Sequence, residues 1–174
     1  MIDQSRRRAP ITYRLNRVLH DRVFERGTMG FKAARKISEV VDKAPAVIKK
    51  IVHGAEHVAK IATFDCRDCG DCSLPEIAYL CPESQCAKNQ RNGPCGGTRQ
   101  GKCEVGEKEC IWALAYDRLK AYGEEETMLD GPVVIKNGAL EGTSAWANRF
   151  LERDHQADSS ETTPGAGVDK KSNS

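Results

Sequence analysis

The sequence predicts a mainly α-helical protein with an irregular cysteine-rich metal-binding module, a small α+β fold overall. Three observations predict it. Apolar residues recur at helical spacing through residues 11–58. That periodicity then stops, and Cys, Gly, Pro, Asn and Asp take over from Phe64 to Glu109. All eight cysteines lie between 66 and 110. A chain of 174 residues with 39% hydrophobic content has room for one modest core.

Residues 1–10 read as a flexible basic lead containing Arg6, Arg7 and Arg8. No apolar run follows them, because Arg14, Arg17 and Arg22 break it, so they are not the start of an export signal. No stretch approaches the roughly 18 apolar residues of a membrane helix. A cytoplasmic protein is expected. The first helix carries Ile11, Leu15, Val18, Leu19 and Val23 on one face and ends at Gly27. A second carries Phe31, Ala34, Ile37 and Val41. Pro45 suits the first turn of a third, with Ala44 close to its N-cap and Val47, Ile48, Ile51, Val52, Ala55 and Val58 along one side. These faces read as core or as a seam for a partner, and His53 and His57 as surface histidines.

After the cysteines a helix is expected from about Lys108 to Tyr122, with Ile111, Ala115, Leu119 and Tyr122 on one face. Pro132 to Lys136 is β-prone and leads into an Asn137-Gly138 turn. Thr143 or Ser144 caps a short last helix with Trp146, Phe150 and Leu151. The organisation expected is a basic helical region over 1–60, a cysteine-rich domain over 61–155 and a disordered tail over 156–174.

Charge is distributed unevenly. Residues 1–60 hold 14 Lys/Arg against 6 Asp/Glu, whereas residues 121–174 hold 5 against 10. A basic arm suits nucleic acid or an acidic protein partner. No nucleic-acid-binding motif accompanies it, so the protein partner is the favoured reading.

The cysteines run Cys66-x2-Cys69-x2-Cys72-x8-Cys81-Pro82, then Cys86, Cys95, Cys103 and Cys110. A reducing interior disfavours a disulfide framework and favours metal ligation. A four-iron cube needs thiolates at separate corners, and successive two-residue spacings let one loop wrap three of them; bacterial ferredoxins use such a run closed by Cys-Pro. Structural zinc more often pairs two C-x2-C knuckles, and the second half of this cluster has none. One or two 4Fe–4S clusters are therefore favoured, with zinc as the alternative. Which cysteines share a site is left open by spacing. A cysteine nucleophile is disfavoured because no histidine lies between 58 and 154.

Several stretches together resemble the methylenetetrahydrofolate reductase C-terminal domain family. They are Cys66-Arg67-Asp68-Cys69-Gly70-Asp71-Cys72-Ser73-Leu74-Pro75-Glu76, Cys81-Pro82, Cys86-Ala87-Lys88-Asn89-Gln90, Asn92-Gly93-Pro94-Cys95-Gly96-Gly97, and Cys110-Ile111-Trp112 with Ala115-Tyr116-Asp117-Arg118-Leu119. The likeness covers about residues 60–155, including Ser144-Ala145-Trp146 and Arg153-Asp154-His155. Members include the small subunit partnered with the reductase in acetogens. The resemblance implies an accessory subunit in one-carbon metabolism with iron–sulfur or zinc on its cysteines. The reductase proper is similar to a TIM barrel, which takes on the order of 250 residues. Flavin and folate sites are then expected on that separate barrel subunit. The function expected is electron transfer from a reduced donor protein to that subunit, or a non-redox zinc scaffold for it. The chain itself is expected to be a non-catalytic subunit.

Overall fold

A computed structural model describes residues 11–106, 108–129 and 134–157. Helix α1 (Ile11–Leu19) runs directly into a π-helical turn, His20–Phe24, and the chain turns before α2 (Met29–Asp42). The Thr28 hydroxyl accepts from the Phe31 N–H at 3.1 Å and caps α2. Helix α3 (Ala46–Phe64) begins one residue later than the sequence suggests, with Pro45 itself at the N-cap. Pro75–Ile77 forms a 3-10 turn and Pro82–Gln85 is a one-turn helix, α4. Strands β1 (Thr98–Arg99) and β2 (Lys102–Cys103) pair antiparallel, Thr98 opposite Cys103. Their two-residue turn, Gln100-Gly101, has positive φ at both positions, which matches the strands' twist. Helices α5 (Ile111–Lys120) and α6 (Ala145–Phe150) follow, with 3-10 turns at Glu125–Met128 and Gly138–Leu140 between them.

The fold is mainly helical with one small sheet. That sheet does not lie where the β-prone stretch suggests. Residues 130–133 of that stretch are outside the described residues, and 134–137 form no regular element. The basic lead before Ile11 and the tail from 158 also lie outside them. Among the described residues, no helix is long and apolar enough to cross a membrane.

The main core gathers Tyr13, Ile77, Ala78, Leu80, Cys110, Ile111, Trp112 and Ala115, with Ile77 fully buried. A second, aromatic packing centre joins Phe24 to Phe150 (centroids 5.0 Å apart) and Phe31 to Phe150 (5.4 Å). Trp112 and Phe150 are thus core, whereas Trp146 and Tyr116 stay at the surface.

The three N-terminal helices are packed with their apolar stripes facing outward. In α3 the inward residues are His53, Glu56, His57, Lys60 and Phe64, at helical spacing. Glu56 and Lys60 are 4% and 6% exposed, while Val47 and Ile51 are 67% and 65% exposed. The same inversion holds in α1, where Tyr13 is buried and Leu15, Val18 and Leu19 are exposed. Of the two readings of the α3 stripe, core within this chain is thereby excluded. The expected division at 60/61 falls inside α3, whose polar face packs on the cysteine loop.

Candidate metal centre

Helix α3 delivers the chain to the first cysteine loop, and the C-terminal segment holds that loop down. At Gly70 φ is +69, and an added Cβ would lie 1.7 Å from the Leu140 carbonyl oxygen, so only glycine fits. The Gly142 N–H donates to the Asp68 carbonyl at 3.0 Å, and Asn148 Nδ2 donates to the Gly70 carbonyl at 2.8 Å. Glu56 of α3 fixes the start of α6. It accepts from the Ser144 hydroxyl, from the Trp146 N–H at 3.1 Å and from Lys60 at 3.3 Å.

Asp71, between Cys69 and Cys72, is completely buried and organises this loop. Its carboxylate accepts from the Asn137 N–H at 2.8 Å and the His155 N–H at 3.2 Å, and lies 2.5 Å from His155 Nδ1. The other His155 nitrogen is 3.0 Å from Glu76 Oε1. Burial alone would depress this imidazole, but the bonds and charges of Asp71 and Glu76 outweigh it and raise its pKa to about 9. Burial likewise pushes both carboxyls up, and the His155 donors more than reverse it. A doubly held imidazolium therefore ties the C-terminal segment to the cysteine loop. His53 adds a tie from α3, its Nε2 2.8 Å from Asp68 Oδ1, so it is not a free surface residue.

The cysteines fall into two neighbourhoods, and all eight are free thiols. Cys66 is coupled by charge to Cys69 and Cys81, Cys69 to Cys81, and Cys72 to Cys69. Lys60 reaches both Cys66 and Cys72. In the second neighbourhood Cys86 packs on the core that includes Cys110. The Thr98 hydroxyl donates to Cys110 Sγ at 2.9 Å, and Thr98 pairs across the hairpin with Cys103. Lys88 feels both Cys95 and Cys103. The sulfurs are dressed by backbone donors. Asp68 N–H reaches Cys66, Gln90 N–H reaches Cys86 and Val105 N–H reaches Cys103, each at 3.4 Å. The Leu74 N–H serves Cys72 in the same way. Still, the thiols adjoin without closing: among the described residues, no three His, Cys, Asp or Glu side chains are arranged to hold a metal ion.

Burial pushes Cys72 up to about 11 despite the opposing Lys60 charge, and raises Cys66 and Cys69 as well. Reactive cysteines have lowered values. Raised, protonated thiols are poor nucleophiles, and a metal would have to displace their protons. Burial opposes the Lys60 ammonium too, yet Cys72, Glu56 and Cys66 hold it charged well above the usual lysine range. Beside Cys72 and Lys60 opens a cavity of 230 Å³, walled by Phe24, Tyr79 and Trp146.

The cysteine spacing marked this region correctly, but the Asp71–His155–Glu76 clamp escaped sequence reasoning. Its partners are far apart in the chain, and the lone His155 beside an Asp was the one available sign.

Fold and site define a small helical protein built around a cysteine cluster, its loop clamped by buried charges. The chain matches the family described as "Methylene-tetrahydrofolate reductase C terminal" over residues 45–138, and it belongs to that family. The match runs from the start of α3 to the Asn137-Gly138 turn. No curated protein and no solved structure matches the chain.

Proposed function

We propose that this chain is the iron–sulfur accessory subunit of a flavin- and folate-dependent methylenetetrahydrofolate reductase in one-carbon metabolism, whose barrel is a separate polypeptide. The observation that carries the proposal is eight free thiols in 45 residues, grouped by fours and capped by backbone N–H donors. Cys66, Cys69, Cys72 and Cys81 would hold one metal group, and Cys86, Cys95, Cys103 and Cys110 a second. When bound, a 4Fe–4S cluster supplies one-electron transfer between a reduced donor protein and the partner's flavin.

The chain's own residues support that role in three ways. Lys60 offsets the negative charge that thiolates at Cys66 and Cys72 would bring into a buried place. The N–H donors would help set a potential. Asp71 and His155 hold the Cys69–Cys72 turn in position. A zinc scaffold for the same reductase is the second reading. It draws on the second group, which lies around a hairpin and lacks the repeated two-residue spacing that favours a cube.

Anaerobic purification with iron, sulfide and zinc analysis and a visible spectrum tests the proposal. Brown protein whose absorption bleaches on reduction is expected; colourless protein holding only zinc would replace electron transfer with the scaffold. The chain alone is expected to show no methylenetetrahydrofolate reduction, and activity without partner or flavin would sink the accessory reading.

A further inference from the structure

We infer that the groove between α2, α3 and α6 is the docking site for an amphipathic helix of the reductase subunit, one whose apolar stripe is rimmed by Asp and Glu. The inference rests on the accessory-subunit reading for the identity of its partner, and on the groove for everything else. The groove encloses 470 Å³ and is lined by Ile37 and Val41 of α2, Val52 of α3 and Trp146 and Phe150 of α6. Ile37 and Trp146 are exposed, and so are Ile48 and Ile51 on the adjoining face of α3. An apolar surface this extended on two neighbouring helices marks an interaction site. Two helices side by side leave the kind of channel that a third helix fills with i, i+3, i+4 anchors.

Charge selects the occupant. Glu56 is spent on Lys60, Ser144 and the Trp146 N–H, and Asp42 is bridged by Arg153 at 2.7 and 3.2 Å. Lys49 and Lys50 then leave the rim positive. A second copy would bring the same arm, 14 Lys/Arg against 6 Asp/Glu, onto a like charge. The chain's own ends have little to offer. Residues 1–10 bring three arginines, and residues 158–174 contain Val168 as their one large apolar side chain. What remains is another protein with carboxylates beside an apolar stripe. Its place also makes functional sense. Trp146 is a wall shared by this groove and by the cavity beside Cys72, so a helix seated here stands next to the first cysteine group.

The test uses the full-length, anaerobically loaded chain and the separately purified reductase subunit, with affinity measured by calorimetry at low and high salt. Val52→Asp and Ile37→Asp should each weaken binding at least tenfold. A Lys49→Glu/Lys50→Glu double variant should weaken it severalfold and flatten its salt dependence. Unchanged hydrogen exchange and metal content would show that the variants fold, and Val52→Ala serves as the milder form. If the wild-type pair binds and all these variants bind equally well, the groove is wrong while the accessory reading stands. If the wild-type chain binds no reductase, both fall. A dimer in sedimentation that Val52→Asp dissolves would make a second copy the occupant and overturn the proposal.

Discussion

Helices α3 and α5 stand on either side of the cysteine module in sequence and treat it in opposite ways. Helix α5 buries Ile111, Trp112 and Ala115 against Ile77 and Leu80, so the module supplies part of its core. Helix α3 buries Glu56 and Lys60 and leaves its valines and isoleucines outside. The two helices look alike as patterns, since both carry apolar residues at helical spacing. The difference teaches that an apolar stripe reports that something covers it, not that the cover belongs to the same chain. Around the cysteines, α5 contributes packing, while α3 contributes charge and hydrogen bonds.

The largest expected effect comes from removing the metal. Thiolate ligation supplies folding free energy, and the loop segments between 65 and 110 have little regular structure of their own. Chelation should abolish hydrogen-exchange protection there and carry α5 with it, because α5 rests on Ile77 and Leu80. The Phe24–Phe31–Phe150 centre should keep its protection. Loss confined to the loops, with α5 unchanged, would break the contrast between the two helices.

Next come Asp71→Ala and Trp112→Ala. Asp71 is buried with three N–H partners, and removing one side of such a charge pair costs about 3–5 kcal/mol. Trp112, 7% exposed and donating from Nε1 to the Gln90 carbonyl at 3.2 Å, should cost a similar 3–5 kcal/mol or so. Both are read from denaturant midpoints of the loaded protein. Values under 1 kcal/mol would mean that ligation alone holds the module.

The cysteine loop and α5 were legible in the sequence because their signals are local. Two-residue spacings dictate a tight loop, and Ile111, Ala115 and Leu119 fall on one face within nine residues. The Asp71–His155 clamp was not, since hydrogen bonds across the chain leave no periodicity behind. The hairpin at 98–103 is too short for alternation to show, and only Gly101 hinted at it. In α3 the period was read correctly and the direction was not settled, because facing depends on what the rest of the chain offers.

A third prediction isolates the clamp by pH. The folded imidazole of His155 titrates at about 9, above the ordinary value near 6.5. A raised pKa stabilises the fold fully below the unfolded value and loses that contribution as pH rises through the folded one. Stability should therefore fall between about pH 6.5 and 9, by on the order of 2 kcal/mol. Asp71 and Glu76 are lowered, so their contribution is present above the ordinary carboxylate range and lost on acidification. His155→Gln should flatten the alkaline slope; an unaltered slope would assign it to the thiols.

The smallest effect is expected on the outward face of α3. Val58 is among its exposed apolar residues and sits two turns beyond Ile51 on the same side. Replacing it with Ser removes a methyl pair that touches mainly solvent, so no cavity forms and no partner is orphaned. Stability of the isolated, loaded chain should move by less than about 0.5 kcal/mol, as for other surface changes. The same loss of apolar side chain at Ile111 leaves a void against Trp112 and Ala115 and should cost several-fold more. Measured side by side in denaturant, Val58→Ser and Ile111→Ala thus read out the inversion directly. Equal costs at the two positions would mean that α3's stripe is covered even in the isolated chain, and the docking groove would then need another reading.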